Sequence, residues 1–571
     1  EEEHKQEEKI VNLTVFEHDR PFVLEALHRG EIDYLENVSE AAEADLFRHL
    51  IRRQVVQRLA ESYPTPRQKE EVPVWIYLAS ELSLKLHGAQ SYHAFPRVLR
   101  TGGLIEALGP ELGGRKTRHP ETSDVTLACP GFNDKNDYDR QTPCDQDFLR
   151  KFARDTDVDR LHAWFNREVP RCLRSMGLFD SEGLFLGDAS YLFVPDNPRY
   201  EQSDLLWFDE HNHPVESGEV DLRDKRYQQH RCYKLVSLLH VNRKLDFFFV
   251  VAARVVAGRR HECPILYELV EEVVRAVHKG FIKVLIVDRG LIDGERIGRL
   301  KQEFAIDTIV PLRSNMDLYA DALGLTRLPG FAWEPYVPQQ APPAEELLRP
   351  ARVQRREAKR QQTLAERKAK AAVTTTLPSR PAAPALAPPQ TLLGLGRGLL
   401  IWSQCPVPLT AVVNRERDEH GQTHDWVLVS TADRFSAAQI RSTYELRPAI
   451  EERHRQYKGF WDLTRMHSCA FSLVVNQALF VLLDYTLLQA HLVLRQRQEL
   501  NRGVWQRTWL LLAPTLEVVA VYYRQRFCLL TLAEFGRILL DIAEPVRGKL
   551  REKLRRIERE QNSLLENARA P

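Results

Sequence analysis

The chain has 571 residues, 43% of them hydrophobic, and its 80 Lys and Arg residues against 79 Asp and Glu residues give a formal net charge of +1. This length is too great for one simple core and predicts two to four domains. The balanced charge excludes a protein that recognises nucleic acid through its total charge alone, so local clusters have to be considered instead.

Cysteine usage and hydropathy indicate the compartment. The eight cysteines include no C-x-x-C pair, which disfavours a zinc site or a disulfide framework and fits a reducing cytoplasm. The N-terminal EEEHKQEEKIVNL is acidic where a signal peptide is basic and then apolar. Polar residues interrupt the two most apolar runs, 246–258 and 473–494, which therefore predict a buried strand and a core helix without a membrane partner.

Residues 1–174 are predicted to be mainly helical. Within them, the stretch 41–62 places apolar residues such as Leu46, Leu50 and Leu59 on one stripe, with arginines on the opposite side. Pro, Gly, Asn and Asp mark loops at 65–73 and 130–147.

The pattern then changes to short β-rich runs at 183–197, 233–241 and 244–257. A helix ending near Gly280 follows, then the apolar FIKVLIVD (281–288), the helical GERIGRLKQEF and the strand DTIVPLR (307–313). The order β-β-β-α-β-α-β predicts an α/β fold whose mixed sheet is covered by helices.

Regularity lapses after Arg313. Residues 338–391 are rich in Pro and Ala and strongly basic in the middle, and both a solvated linker and a segment lying on phosphate fit this composition. Strand-like runs resume around it, and 466–571 is helical in pattern. The closing VRGKLREKLRRIERE reads first as a charged exposed helix and second as a DNA contact.

Two aspartates stand near predicted strand ends, Asp188 in LFLGDASY and Asp288 in VLIVDRGL. A carboxylate at the end of a buried strand needs hydrogen bonds, a charge partner or a cation. Strand ends are also where sites form in open α/β sheets, although an ordinary turn or helix cap explains either aspartate alone.

A third element is YELRPAIEERHRQYK, residues 444–458. Tyr444, Arg447, Glu451 and Lys458 stand at offsets of three, seven and fourteen, which on a continuous helix places them on one narrow face. Such clustering is unlike the scattered charges of a solvated helix.

The pattern Y-x-x-R-x-x-x-E-x-x-x-x-x-x-K, with the earlier GDASY and VDRG, resembles the DDE transposases of the insertion sequence 4 family over roughly residues 175–480. The resemblance implies a ribonuclease H-like core in two parts, 175–313 and 431–500, separated by a β-rich insertion at 314–430. It also implies a helical N-terminal region, 1–174, that binds DNA ends, and a helical C-terminal region, 501–571, with a possible role in dimerisation.

By the same resemblance, Asp188, Asp288 and Glu451 form a catalytic triad that holds two Mg²⁺ ions, for which Mn²⁺ can substitute. Tyr444, Arg447, Lys458 and Arg289 would contact DNA. Carboxylates suit such hard cations, and two ions assist phosphodiester displacement. The implied activity is cleavage of DNA at terminal inverted repeats and joining to target DNA, by a homodimer associated with the nucleoid in the cytoplasm.

Pro448 departs from the family pattern, which often has an aromatic residue, usually Trp, after the arginine; proline removes a backbone donor and disfavours helix at Arg447. The helix is therefore expected to kink or restart there, with Pro448 in its first turn. Leu291 also follows DRG where an aromatic residue is more usual.

Two other functions stay open: an inactive or domesticated descendant that binds DNA without cutting it, and a structure-selective nuclease on the same fold. The sequence has no P-loop, which argues against a nucleotide cofactor. DEHNH (209–213) clusters possible metal ligands, but its turn-rich context favours a solvent loop.

Overall fold

A computed structural model of the chain describes residues 17–40, 54–68, 74–88, 146–215, 226–337, 390–418, 421–466, 468–497, 500–501, 516–524 and 526–569, with shorter segments at 13–14, 46, 49–50, 91–92, 115–118, 125–128, 132–133 and 224. The basic part of 338–391 and part of the predicted helix at 41–62 lie outside the described residues.

The centre of the molecule is an eleven-stranded mixed sheet. Its strands, from one edge to the other, are Trp333–Tyr336, Gln390–Leu399, Leu409–Arg417, Thr423–Ser430, Asp307–Pro311, Val284–Val287, Leu184–Val194, Gln228–Asn242, Asp204–Phe208 and Pro214–Val215, and Phe247–Ala257 also pairs with Gln228–Asn242. Val284–Val287 is parallel to both of its neighbours, whereas the other pairs are antiparallel. The predicted mixed sheet is confirmed, and it is consistent with a ribonuclease H-like fold.

The described helices flank this sheet, pack on one another or, in the case of Arg20–His28, Leu532–Asp541 and Glu544–Arg569, pack on the strands of a second, smaller sheet. They are Arg20–His28, Val55–Glu61, Val74–Leu86, Gln146–Asp155, Val158–Ser175, Glu262–Ala276, Gly294–Phe304, Asp317–Leu325, Ala437–Tyr444, Pro448–Phe460, Phe471–Leu494, Leu532–Asp541 and Glu544–Arg569, with a 3₁₀ turn at Arg289–Leu291.

The stretch 314–430, predicted to be an insertion, contributes strands to the central sheet. Its strand Thr423–Ser430 pairs with Asp307–Pro311 of the core, for example Val429 with Val310, so that the four strands described between residues 333 and 430 extend one edge. The β-rich character predicted for 314–430 is present, and the helix Asp317–Leu325 lies in the same stretch. This pairing places insertion residues beside the strands that carry the candidate site.

The two ends of the chain meet in a second sheet of four strands, in the order Glu17–His18, Arg526–Thr531, Leu516–Tyr523 and Tyr34–Glu40. The helical patterns predicted for 1–174 and 466–571 did not include these strands. Their pairing joins residues about 480 positions apart, for example Val518 with Val38, which a local pattern does not reveal. The division into domains stays a prediction.

The apolar run near 473–494 is a buried helix, as predicted. Phe471–Leu494 is long and apolar enough to cross a membrane by length and composition, but 94% of its most apolar window is buried in the protein. It packs against the strand Phe247–Ala257 and the helix Val74–Leu86, and the Tyr77 hydroxyl donates to Asn476 Oδ1 at 2.9 Å. The helix therefore has the position of an internal core element.

Candidate active site

The two predicted aspartates meet at one edge of the parallel strand pair. Val284–Val287 pairs with the first half of Leu184–Val194, and the last paired residues are Val287 and Gly187. Asp288 and Asp188 follow these residues directly. Asp188 was expected at the end of a strand, but its strand continues to Val194, paired with Gln228–Asn242. Asp188 instead follows the last residue of the parallel pairing, Gly187, where the continuously buried part of the strand also ends.

The strand Leu184–Val194 is covered on both faces. A Cβ atom on Gly187 would lie 2.5 Å from Leu266 Cδ2, so only glycine allows the helix Glu262–Ala276 to pack this closely. Successive side chains alternate between faces, which turns Asp188 away from that helix. Asp188 thus faces Pro448–Phe460, the helix that packs on its strand and that we call the Glu451 helix.

The predicted helix break at Pro448 is present. Ala437–Tyr444 ends at Tyr444, and the Glu451 helix begins at Pro448 with Arg447 at its N-cap position. The inference that Tyr444, Arg447, Glu451 and Lys458 share one continuous helix is therefore wrong for Tyr444. All four still line the same cleft, because the short turn between the helices keeps Tyr444 beside Arg447.

Arg447 lies between the three predicted carboxylates. Its Nη2 atom is 3.0 Å from Asp288 Oδ2 and 3.6 Å from Asp188 Oδ2, and its Nη1 atom pairs with Glu451. The other carboxylate oxygens of the two aspartates are held locally, since Oδ1 of Asp188 accepts from Ala189 N and Oδ1 of Asp288 accepts from Arg289 N. Asp288 therefore caps the following 3₁₀ turn with one carboxylate oxygen, as one interpretation of the sequence predicted, and its other oxygen faces the cleft.

The charges of this cluster do not balance. Burial raises the pKa of Asp188 to about 7, opposed by Arg447 and reinforced by Asp288 and Glu451. One guanidinium faces three carboxylates, so with all of them ionised the cluster carries surplus negative charge. A cluster of this kind attracts further cations.

The donor set fits divalent metal ions. Within the described ranges, no three His, Cys, Asp or Glu side chains are already arranged as a metal site, and Arg447 holds the centre of the triad. The carboxylates nevertheless converge on a single cationic group and supply the hard oxygen ligands that Mg²⁺ and Mn²⁺ prefer.

The other residues predicted to contact DNA, two cationic side chains and one tyrosine, surround the triad. Lys458 donates to Ser190 Oγ at 2.6 Å, and burial lowers the pKa of Lys458 to about 8 while Asp188 opposes the shift. Arg289 is exposed on the rim of the cleft. Tyr444 is half-buried, and burial raises its pKa to about 12, so its hydroxyl stays protonated and can donate to a phosphate.

The cleft has a volume of about 1040 Å³ and includes residues that were not predicted. Ser190 and His454 lie beside the triad, and Trp426 and Arg441 come from the insertion strand Thr423–Ser430 and the helix Ala437–Tyr444. The Arg441 guanidinium lies 4.6 Å from the Trp426 ring centroid. Ser190 could have been predicted from its spacing, because it stands two residues after Asp188 and so lies on the same face of the strand. Trp426 could not, because only the long-range pairing of its strand with Asp307–Pro311 brings it to the cleft.

DEHNH forms the turn of the hairpin between Asp204–Phe208 and Pro214–Val215. Asp209 Oδ1 accepts hydrogen bonds from the backbone N–H groups of His211 and His213, and both histidines are exposed. The stretch is an exposed turn, as predicted, and the Asp209 carboxylate serves that turn, while His213 also lines the cleft.

Two carboxylates from adjacent strands and one from a helix, in an open cleft that also contains Arg289, Arg447 and Lys458, are typical of enzymes that act on phosphodiesters with divalent metal ions. The family model described as Transposase DDE domain matches residues 201–487, half of the chain, and the chain belongs to this family. The match contains Asp288, Arg447, Glu451 and Lys458 and begins thirteen residues after Asp188. A search of curated proteins finds no match to this chain.

Family membership confirms the predicted class. The chain carries a DDE transposase domain, which implies an enzyme of DNA transposition that uses divalent metal ions to cut and join DNA. Assignment to the insertion sequence 4 family and the roles of the individual site residues stay predictions.

Proposed function

We propose that this protein is a transposase of the insertion sequence 4 type, which binds the terminal inverted repeats of its element, cleaves the DNA at these ends and joins them to target DNA. The observation that carries the proposal is the convergence of Asp188, Asp288 and Glu451 on one point of the cleft. A homodimer around two paired ends would perform both joining reactions together, without a nucleotide cofactor.

In this proposal, Asp188, Asp288 and Glu451 hold two Mg²⁺ ions, with Mn²⁺ as a substitute. The chemistry supplied by the bound ions is charge stabilisation of the attacking and leaving oxygens of the phosphodiester. The carboxylates come from two adjacent strands and one helix, so their relative positions depend on how that helix docks on the sheet.

The cationic groups of the cleft orient the DNA. Arg447 and Lys458 place positive charge directly beside the carboxylates, where a scissile phosphate has to lie, and the Tyr444 hydroxyl and the exposed Arg289 extend this surface. Their combined charge makes the approach of the DNA backbone favourable and salt-dependent.

The DNA that flanks the coding region provides the test. We expect it to contain inverted repeats, and a duplex carrying them to be cleaved at the repeat boundary by the purified protein with Mg²⁺ but not with EDTA. Cleavage of duplexes that lack the repeats at the same rate would instead indicate a structure-selective nuclease. Specific, salt-sensitive binding without cleavage would indicate a domesticated DNA-binding protein.

A further inference from the structure

We propose that His454 and Ser237 are positioning residues, whose buried hydrogen bond sets the distance between the Glu451 helix and the Asp188 strand and so shapes the metal site. This inference rests on the proposed function, because it concerns the geometry of the same three carboxylates.

Ser237 lies beside Asp188 in the sheet. In the antiparallel pairing of Gln228–Asn242 with Leu184–Val194, Ser237 is the direct partner of Asp188. Directly paired residues of an antiparallel sheet project from the same face. The Ser237 hydroxyl therefore lies next to the Asp188 carboxylate, on the face that the Glu451 helix covers.

His454 occupies the matching position on the helix. It follows Glu451 by three residues and precedes Lys458 by four, spacings that place the three side chains on one helix face. Its Nε2 atom is 2.9 Å from Ser237 Oγ, and both residues are buried, with exposed fractions of 5% and 0%. The bond joins the helix to the sheet at the level of Asp188.

Other hydrogen bonds hold the helix to different elements: Arg453 donates to the Tyr485 hydroxyl at 3.0 Å and to Asn501 O at 2.7 Å, neither of which lies on the strands that carry the aspartates. Ile450 and Tyr457 are fully buried and hold the helix against the core, but apolar packing does not define one rotational setting as a hydrogen bond does. One turn further along, Lys458 donates to Ser190. Lys458 is also a candidate phosphate ligand, whereas the His454 bond joins the helix to the central sheet without such a second role.

Burial lowers the pKa of His454 to about 3, reinforced by Lys458 and Arg447. The imidazole therefore stays neutral at working pH and adds no charge to the cluster. A neutral ring can serve as an anchor without competing with metal ions for the carboxylates.

The test is Mn²⁺ affinity of the folded protein, measured as free Mn²⁺ by electron paramagnetic resonance. Ser237→Ala is expected to weaken binding by about 10–100-fold, the effect typical of groups that orient metal ligands. His454→Leu should do the same, whereas His454→Gln, which keeps a hydrogen-bonding group near the Nε2 position, should recover most of the affinity.

Ser430→Ala is the matched control. Ser430 is also buried in the central sheet, and its Oγ atom accepts from Ala432 N at 3.0 Å, on a strand that carries none of the three carboxylates. This variant loses a buried hydrogen bond of similar kind and should bind Mn²⁺ as the wild type does.

The outcomes separate the two proposals. If the wild type binds Mn²⁺ and Asp288→Asn abolishes binding, but Ser237→Ala and His454→Leu bind as tightly as Ser430→Ala, the positioning role is wrong and the metal site stands. If the wild-type protein binds no Mn²⁺, or if Asp288→Asn binds it equally well, the metal site and the inference built on it are both wrong.

Discussion

Replacement of any one of the three carboxylates by its amide, in Asp188→Asn, Asp288→Asn or Glu451→Gln, is expected to lower Mg²⁺-dependent DNA cleavage by about 10³-fold or more. Metal ions supply several kcal/mol of transition-state stabilisation in such reactions, and each 1.4 kcal/mol corresponds to about tenfold in rate. The amide keeps the size of the side chain but removes the charged oxygen that a hard cation requires. Rates of end cleavage with purified variants measure the effect.

Glu452→Gln is the matched control for the helix position. Glu452 is adjacent to Glu451, but its carboxylate accepts hydrogen bonds from Arg455 and Gln456, away from Arg447. We expect this variant to cleave at a rate close to that of the wild type. Equal losses in Glu451→Gln and Glu452→Gln would mean that the helix needs its total charge rather than one specific ligand.

The second large effect concerns stability. In buffer with EDTA at pH 8, Asp188→Asn is expected to be more stable than the wild type, by at most about 4 kcal/mol. This limit follows from the pKa of Asp188, which rises from 3.8 to about 7 on folding. The ionised side chain is therefore unfavourable in the folded, metal-free protein, and the amide avoids this penalty.

The stability of the wild-type protein without metal is expected to fall as the pH rises. Between about pH 4 and 7, the folded wild type retains a proton on Asp188 that the unfolded chain has lost, so its stability falls as pH rises through this window. The advantage of Asp188→Asn should thus be small near pH 4 and complete above pH 7. Denaturation midpoints at both pH values measure it.

Asp321→Asn serves as the control for stability, because Asp321 is exposed on the helix Asp317–Leu325. Its removal should change the free energy of unfolding by less than about 0.5 kcal/mol at either pH. A variant at Asp188 that gains stability while it loses activity would show that the active-site carboxylate is kept at the expense of the fold.

Much of the central sheet was predictable from local patterns. The run VLIV is apolar throughout because its strand, Val284–Val287, is buried along its whole length, and the helix Glu262–Ala276 has the expected apolar face. Pro448 gave the correct position for the helix break, since proline fits the first turn of a helix and disfavours its interior.

The terminal sheet and the insertion edge were not predictable in this way. Leu516–Tyr523 forms a local hairpin with Arg526–Thr531, which the helical interpretation missed, and the sheet is extended by its pairing with Tyr34–Glu40 from far away in the chain. Such pairing depends on contacts that a sequence window does not contain.

The sequence predicted which residues form the site better than it predicted how they are arranged. Motifs identify Asp188, Asp288 and Glu451, yet the same motifs predict that Arg447 contacts DNA and do not indicate that it lies between all three carboxylates. The sequence analysis did not single out His454, because its role depends on Ser237, which lies 217 residues earlier in the chain.

The most direct test of the central claim, that Asp188, Asp288 and Glu451 together bind the catalytic divalent ions, is a calorimetric titration of the purified protein with Mn²⁺. We expect the wild type to bind Mn²⁺ and Asp188→Asn, Asp288→Asn and Glu451→Gln each to bind it at least about tenfold more weakly, as loss of one charged ligand requires. Equal Mn²⁺ affinity in the wild type and all three folded variants would contradict the claim.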